Sequence, residues 1–315
     1  MRTVVTGGAG FIGRNLCQRL LQMGDTVSII DDFTSGSEEN VRQLMRQSEL
    51  VYFLHHNVCR PYSAMIGADR IFNLACSASP VVYQRDPFHT MRTNVMGMFN
   101  AVEFAKMRGI PLLQASTSEV YGDPTEHPQR EGYCGNVNTM GPRACYDEGK
   151  RAAEAICFDA ACKGMDVKVA RIFNTYGPHM RVDDGRMVPN FICAALRGEP
   201  LLIHGHGMQT RSLCYIDDLV NGLLILMATP HGYVGPVNLG NPTEISVLDL
   251  AIMIREITGS KSKLEHIAAP KDDPRRRCPN IGEARCELGW EPRVGLQTGL
   301  EKTVAYFDQV IAKAA

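Results

Sequence analysis

Tyr146 and Lys150 stand four residues apart in "YDEGK". On a helix that spacing puts both side chains on one face. An ammonium beside a phenol favours the tyrosinate and lowers its pKa, so Tyr146 would be a usable base near neutrality. The pair is weak by itself, because composition alone produces some Y-x-x-x-K in a chain of this length. About 30 residues upstream, "STSEVYGDP" (116–124) sets hydroxyls and one carboxylate at the start of a turn. Glu119 in that stretch is either an acid/base group or only the polar end of a buried strand. A cofactor and a substrate site elsewhere in the chain would decide between them.

A cofactor site is legible at the N-terminus. Gly7, Gly10 and Gly13 form G-x-x-G-x-x-G between a β-branched run, "RTVVTG", and the helical pattern "NLCQRLLQMG". Glycines there allow a tight turn, let the backbone approach a pyrophosphate and point a helix N-terminus at its charge. The spacing differs from the commoner G-x-G-x-x-G, and a lone glycine turn is weak evidence. Here the strand before, the helix after and an acid ending the next strand all agree. That acid is Asp31, 18 residues beyond Gly13. A carboxylate at this place accepts from the ribose hydroxyls of NAD and repels the extra phosphate of NADP, and Asp32 adds to the repulsion. NAD is the expected cofactor. The plain alternative is a solvated strand-end aspartate.

These residues need a scaffold. Short β-branched runs alternate with amphipathic stretches through the first half: "TVSIID", "ELVYFLHHNV", "ADRIFNLA", "IPLLQAST" and "VKVARIFN" read as strands. A long helix ends at Gly109, and another runs from about 144 to 163. This is the pattern of an α/β fold, a Rossmann-type doubly wound parallel sheet. After Asn174 the pattern changes to loop, then to "FICAALRG", "PLLIHG", "YIDDLVNGLLILMAT", "GPVNLGNP" and "SVLDLAIMIREITG". The expected division is an NAD-binding domain of residues 1–173 plus about 212–240. A smaller C-terminal α/β substrate-binding lobe takes 174–211 and 241–315.

The bulk numbers set bounds. A chain of 315 residues with 44% hydrophobic and 21% charged content can bury one large core or two smaller ones. A net charge of −1 shows no bias towards nucleic acid or an acidic membrane surface. No apolar run approaches the roughly 20 residues of a membrane span, and the first residues enter a strand at once, so a cytoplasmic location is expected. Eleven cysteines without C-x-x-C read as reduced thiols rather than metal ligands or disulfides, and no metal site is expected.

The glycine turn, the Ser/Thr cluster at 116–118 and Tyr146-x-x-x-Lys150 together resemble the extended short-chain dehydrogenase/reductase family of nucleotide-sugar enzymes. Within it, "LACSASPVVYQRDPFHTMRTNVMG", "STSEVYGDPTEHPQ", "GNVNTMGPRACYDEGKRAAE", "ARIFNTYGP", "DDGRMVPNFI", "QTRSLCYIDDLVNGL" and "DDPRRRCPNI" resemble the UDP-glucuronate decarboxylases (UDP-xylose synthases). The resemblance covers nearly the whole chain. It implies that the tyrosine takes the proton of the sugar 4-hydroxyl while NAD oxidises C4. Related 4,6-dehydratases carry Thr-Asp-Glu after the strand, with the Asp protonating the departing hydroxyl. Here the triplet is Thr117-Ser118-Glu119, and serine is a poor donor to that leaving group. A glucuronate oxidised at C4 is a β-keto acid that loses carbon dioxide. Protonation at C5 and re-reduction at C4 then follow, with no net redox change.

The resemblance also implies roles. Tyr146 is acid/base at O4, Lys150 tunes it and binds ribose, and Thr117 bonds O4. Ser118 and Glu119 contact the carboxylate end of the sugar or a water near C5. Arg277 reaches the reacting sugar, where a planar guanidinium suits a carboxylate or phosphate; the alternative for Arg275 to Arg277 is a solvated charge run. The cofactor site would add Phe11, Ile12, Asn57, Val58, Leu74 and Ala75. The substrate site would add Ser79, Tyr83, Asn174, Asn190 and Arg211. Asn57 stands where the family usually has an adenine-contacting Asp, and Asn73 replaces a common His. Cys134, Thr139 and Met140 also depart from the pattern, beside the substrate loop, and could retune the carrier from UDP- towards dTDP-glucuronate. A homodimer through helices near 90–108 and 146–163 is implied, with no nucleic-acid or membrane partner. The rivals are a 4,6-dehydratase or 4-epimerase on the same fold, a membrane-anchored relative, and a non-catalytic NAD-binding sensor or scaffold.

Overall fold

The computed structural model describes residues 1–63, 65–268 and 276–314; residues 272–275 of the "DDPRRRCPNI" stretch, Arg275 among them, lie outside the described residues. The strands are β1 (Arg2–Thr6), β2 (Thr26–Asp31), β3 (Val51–His55), β4 (Arg70–Asn73), β5 (Leu112–Thr117), β6 (Val167–Ile172), β7 (Thr175–Tyr176), β8 (Leu201–His204), β9 (Thr210–Ser212), β10 (Cys214–Tyr215), β11 (Val237–Leu239), β12 (Glu244–Ser246), β13 (Leu264–Ile267) and β14 (Arg276–Arg277). The helices are α1 (Phe11–Gln22), α2 (Glu38–Gln47), α3 (Pro80–Tyr83), α4 (Pro87–Arg108), α5 (Ala144–Cys162), α6 (Met187–Arg197), α7 (Ile216–Met227), α8 (Val247–Thr258), α9 (Gly282–Leu288) and α10 (Leu296–Ala314), with a 3-10 turn at Ser118–Tyr121.

Seven strands form one sheet in the order β3-β2-β1-β4-β5-β6-β11, and every pairing in it is parallel. Parallel strands need both faces covered, and β4 and β5 are buried along their whole length. The strand order reverses between β1 and β4. That switch point opens a crevice at the carboxyl ends of the strands, where the glycine turn, Asp31 and Thr117 all lie. The late strand β11 joins this sheet by pairing with β6.

Local chemistry sets the helix ends. Asp86 caps α4 by accepting from the His89 N–H at 2.9 Å, Pro87 takes the first turn, and Gly109 closes the helix at φ 63°. The C-terminal half builds a three-stranded sheet, β12-β9-β14. Its register sets Arg277 directly beside Arg211. One apolar cluster runs from Val5 and Ile29 beneath α1 through Leu219 and Leu223 of α7 to Trp290 and Phe307. The two halves therefore share a core. A second cluster, with Ile71, Met98, Phe104, Cys157 and Val169, seats α4 and α5 on the other face. No helix among the described residues is long and apolar enough to cross a membrane.

Candidate active site

The glycine turn is packed too tightly for side chains. A Cβ on Gly13 would stand 2.2 Å from the Gly7 carbonyl oxygen, and one on Gly7, at φ +69°, would stand 2.9 Å from the Ala75 backbone. Asp31 braces the turn: its carboxylate accepts from the Ala9 N–H at 3.0 Å and the Phe33 N–H at 2.8 Å. Asp32 accepts from Thr34 and from the Asn57 amide at 2.8 Å. These groups open onto a cleft of about 970 Å³. Phe11, Ile12, Val58, Leu74 and Ala75, named above for the cofactor, line it. A tight glycine turn at a helix N-terminus, an acid ending β2 and apolar walls fit a dinucleotide.

Asn57 does not reach that wall. Its amide donates to Asp32 at 2.8 Å and its carbonyl accepts from the Cys59 N–H at 2.9 Å, so the side chain expected to contact adenine is engaged in holding Asp32 and the turn at 57–59. The neighbouring Val58 lines the cleft instead. Asn73 is also structural: it accepts from Thr6 at 2.7 Å and donates to Gln114 at 2.6 Å, linking three strands. Cys134, Thr139 and Met140 are exposed on the loop before α5 and are not among the residues lining the cleft.

At the other end of the cleft, Thr117 finishes β5 and its hydroxyl accepts from the Glu119 N–H at 3.2 Å, starting the 3-10 turn. The same hydroxyl lies close enough to the Tyr146 phenol to pull its pKa down. Tyr146 and Lys150 project from one face of α5, and both are buried. The expected lowering of the tyrosine pKa is not what the structure gives. Burial pushes the phenol up, the nearby Cys76 thiol adds to this, and Thr117 only partly opposes it. Lys150 donates to the Ala115 carbonyl at 2.8 Å and lies 5.9 Å from the Tyr146 ring centre, and burial lowers its own pKa. Tyr83 stacks on Tyr146 with centroids 5.1 Å apart.

Glu119 is the hub of a charge cluster. Its Oε2 accepts from Arg277 at 3.0 Å and from Arg143. Burial would raise its pKa, but Arg277, Arg143 and Arg211 outweigh that and the net direction is down. The carboxylate is held ionised. Arg277 is 2% exposed and donates also to the carbonyls of Ser118 and, at 3.0 Å, Gly122. Arg276 points outward to Glu244 at 3.1 Å. Strand alternation thus splits the arginine run into one buried and one exposed member, and the solvated-run reading fails for Arg277.

The remaining expected substrate residues, Ser79, Tyr83, Asn174, Asn190 and Arg211, line the same cleft. Ser79 donates to the Asp184 carbonyl at 2.6 Å. The sequence reading missed Arg143, Asp147, Asp184 and Arg186. Arg186 pairs with Asp184 at 2.7 Å and its guanidinium carbon lies 5.8 Å from the Phe11 ring centre, joining the loop before α6 to the glycine helix. Arg143 was readable as a cation one helical turn before Asp147, but only the fold shows that it meets Glu119.

The ligand atoms of His127, Glu244 and Cys278 lie within 4.8 Å of one another. Glu244 is already held by Thr210, His127 and Arg276, so a cation there would compete with a guanidinium. All eleven cysteines are free.

Residues 3–240 match the NAD dependent epimerase/dehydratase family. UDP-glucuronic acid decarboxylase 1 of Arabidopsis thaliana is 47% identical over 98% of this chain and 70% of its own length. The Danio rerio protein of the same name is 46% identical over 100% of this chain and 74% of its own. Among solved structures, UDP-glucose 4-epimerase of Thermotoga maritima with UDP-glucose superposes with a TM-score of 0.90 at 28% identity, covering 99% of this chain and 100% of that one. UDP-glucuronic acid 4-epimerase of Bacillus cereus, with UDP-glucuronic acid and NAD, gives 0.88 at 26% identity, over 98% and 100%. The fold, the NAD site and these relatives agree: the chain belongs to the NAD dependent epimerase/dehydratase family, alongside the UDP-glucuronic acid decarboxylases.

Proposed function

We propose that this chain is an NAD-dependent decarboxylase that converts UDP-glucuronate to UDP-xylose. The observation that carries this reading is the wall of the cleft at Thr117-Ser118-Glu119. It joins an ionised carboxylate and three guanidinium groups to Tyr146, and places a serine where a dehydratase needs an acid. When bound between the glycine turn and Lys150, NAD supplies a reversible hydride acceptor for C4 and, in its oxidised form, a positive charge that favours tyrosinate.

The chain's own residues do the rest. Tyr146 takes the proton of the sugar 4-hydroxyl and Thr117 holds that oxygen. With C4 a ketone, the bond from C5 to the carboxylate carbon breaks, carbon dioxide leaves, and the electron pair passes to O4 as an enolate. Tyr146 and Thr117 hold that charge by hydrogen bonds. Arg277 and Arg211 face the acidic end of the sugar and the diphosphate. Glu119 governs the proton that returns to C5, directly or through a water. Residues 1–173 with about 212–240 hold the cofactor, and 174–211 with 241–315 hold the sugar nucleotide.

The chain acts as a homodimer through α4 and α5. These helices pack on each other and leave Met96, Phe99 and Phe158 exposed on their outer faces. The assay is purified protein with UDP-glucuronate, following carbon dioxide and the nucleotide product by mass spectrometry. UDP-pentose with carbon dioxide supports the reading. UDP-galacturonate without gas release points to an epimerase, and a product lacking water to a dehydratase.

A further inference from the structure

Asp147 follows Tyr146 on α5 and has no part in the scheme above. It is 6% exposed, and its Oδ1 is buried with no hydrogen-bond partner. Its Oδ2 faces the Arg143 guanidinium at 3.9 Å, one helical turn back. The same guanidinium donates to Glu119. One cation therefore stands between two carboxylates and is committed to one of them. The groups facing Asp147 are Glu119 from the 3-10 turn, Arg277 from β14, and Arg143 and Glu148 from α5 itself. Tyr83 of α3 faces it too, with its own hydroxyl buried and unpartnered.

An ionised oxygen without a partner in a dry wall is costly, so the Asp147 carboxyl keeps a proton while Arg143 sits on Glu119. Burial first, then the Glu119 charge, push it up to about 7 against the pull of Arg143 and Arg277. Glu119, held ionised by the same cations, has no proton to deliver in this arrangement. Yet the proposed reaction must return one to C5. We propose that Glu119 and Asp147 share a single proton through Arg143. With Arg143 on Glu119 the proton sits on Asp147; with Arg143 on Asp147 it sits on Glu119, from which it reaches C5. The exchange balances: one carboxyl loses a proton as the other gains it, and the proton passed on to C5 is replaced from solvent through the open cleft once carbon dioxide has left. Asp147 is a positioning residue, since it acts on Glu119 and not on the sugar.

The inference rests on the decarboxylase reading, so its test has one arm with substrate and one without. In Asp147→Asn the amide neither holds the proton nor attracts Arg143. Carbon dioxide release should fall about tenfold or more in kcat, with KM for UDP-glucuronate within threefold. The fall of kcat above neutral pH should vanish in Asp147→Asn and return in Asp147→Glu. A wild-type-like kcat and pH profile in Asp147→Asn overturns the proposal.

The second arm is carboxyl carbon NMR of the NAD-loaded protein without substrate. One side-chain carboxyl, absent from Asp147→Asn, should titrate near neutrality. In Glu119→Gln, which removes the carboxylate that competes for Arg143, that titration should move below pH 5. If it does not move, the shared proton is wrong even if the enzyme is a decarboxylase. If wild type releases no carbon dioxide while the titration shifts as stated, the coupling stands and the reaction assignment falls.

Discussion

Glu119 receives two guanidinium groups on the same oxygen, and its charge is settled before any sugar is considered. A carboxylate so placed acts as counter-ion and proton acceptor, and needs a change of partners to act as a donor. Glu119→Gln is expected to lower carbon dioxide release by roughly 10²- to 10⁴-fold while NAD is still retained after purification. Unchanged release would remove the role. Asp147 gives a second test, on stability. Its folded pKa of about 7 lies above the ordinary carboxylate value, so the folded state binds the proton more tightly. Stability that this group contributes is present at acid pH and is lost as pH rises from about 4 to about 7. Asp147→Asn should therefore melt at a higher temperature than wild type at pH 8, with the gain shrinking towards pH 5. Tyr146, Lys150, Thr117 and Glu119 were legible because their spacing sits on strand and helix ends. Arg143 and Asp147 were not, because their meaning lies in contacts across 24 or more residues that no local period encodes. The tyrosine pKa went the other way for a related reason: spacing sets which face Lys150 shares, but not the burial that pushes the phenol up.

The strand β14 is only two residues long, yet it carries the arginine that holds the triplet's turn. Arg277 reaches Ser118, Glu119 and Gly122 from it, three acceptors on one tight turn. An ammonium cannot span that fork. Arg277→Lys is expected to lower carbon dioxide release by about 10²-fold without changing NAD affinity, which equilibrium titration with NAD would check. A loss of NAD binding instead would place Arg277 in the cofactor site. The parallel sheet and its helices were readable from alternating β-branched runs and from Gly109. The helix α2 was passed over although its few apolar residues keep helical spacing: they make a short stripe, Val41 and Leu44, in an otherwise charged and polar stretch. The β12-β9-β14 sheet was missed because strands of two or three residues carry no period.

At the scale of the molecule, cofactor and substrate ends are tied by one core, so the cleft cannot be cut into independent halves. The alternation of strand and helix patterns indicated the α/β class, and the glycine turn with Asp31 and Asp32 indicated NAD. The joining of Arg211 and Arg277 to Glu119 needed the folded chain. The outer faces of α4 and α5 are the remaining large-scale prediction. Phe99→Glu with Phe158→Glu should give a particle of half the wild-type mass by light scattering, and no change in mass would put the dimer elsewhere.

The central claim is that hydride leaves C4 and returns to it while the carboxylate is lost. UDP-glucuronate deuterated at C4, turned over by the purified enzyme and followed by mass spectrometry and NMR, tests this directly. The account predicts carbon dioxide and UDP-xylose with the deuterium retained at C4. Deuterium lost to solvent, or retained in a six-carbon product, would contradict it.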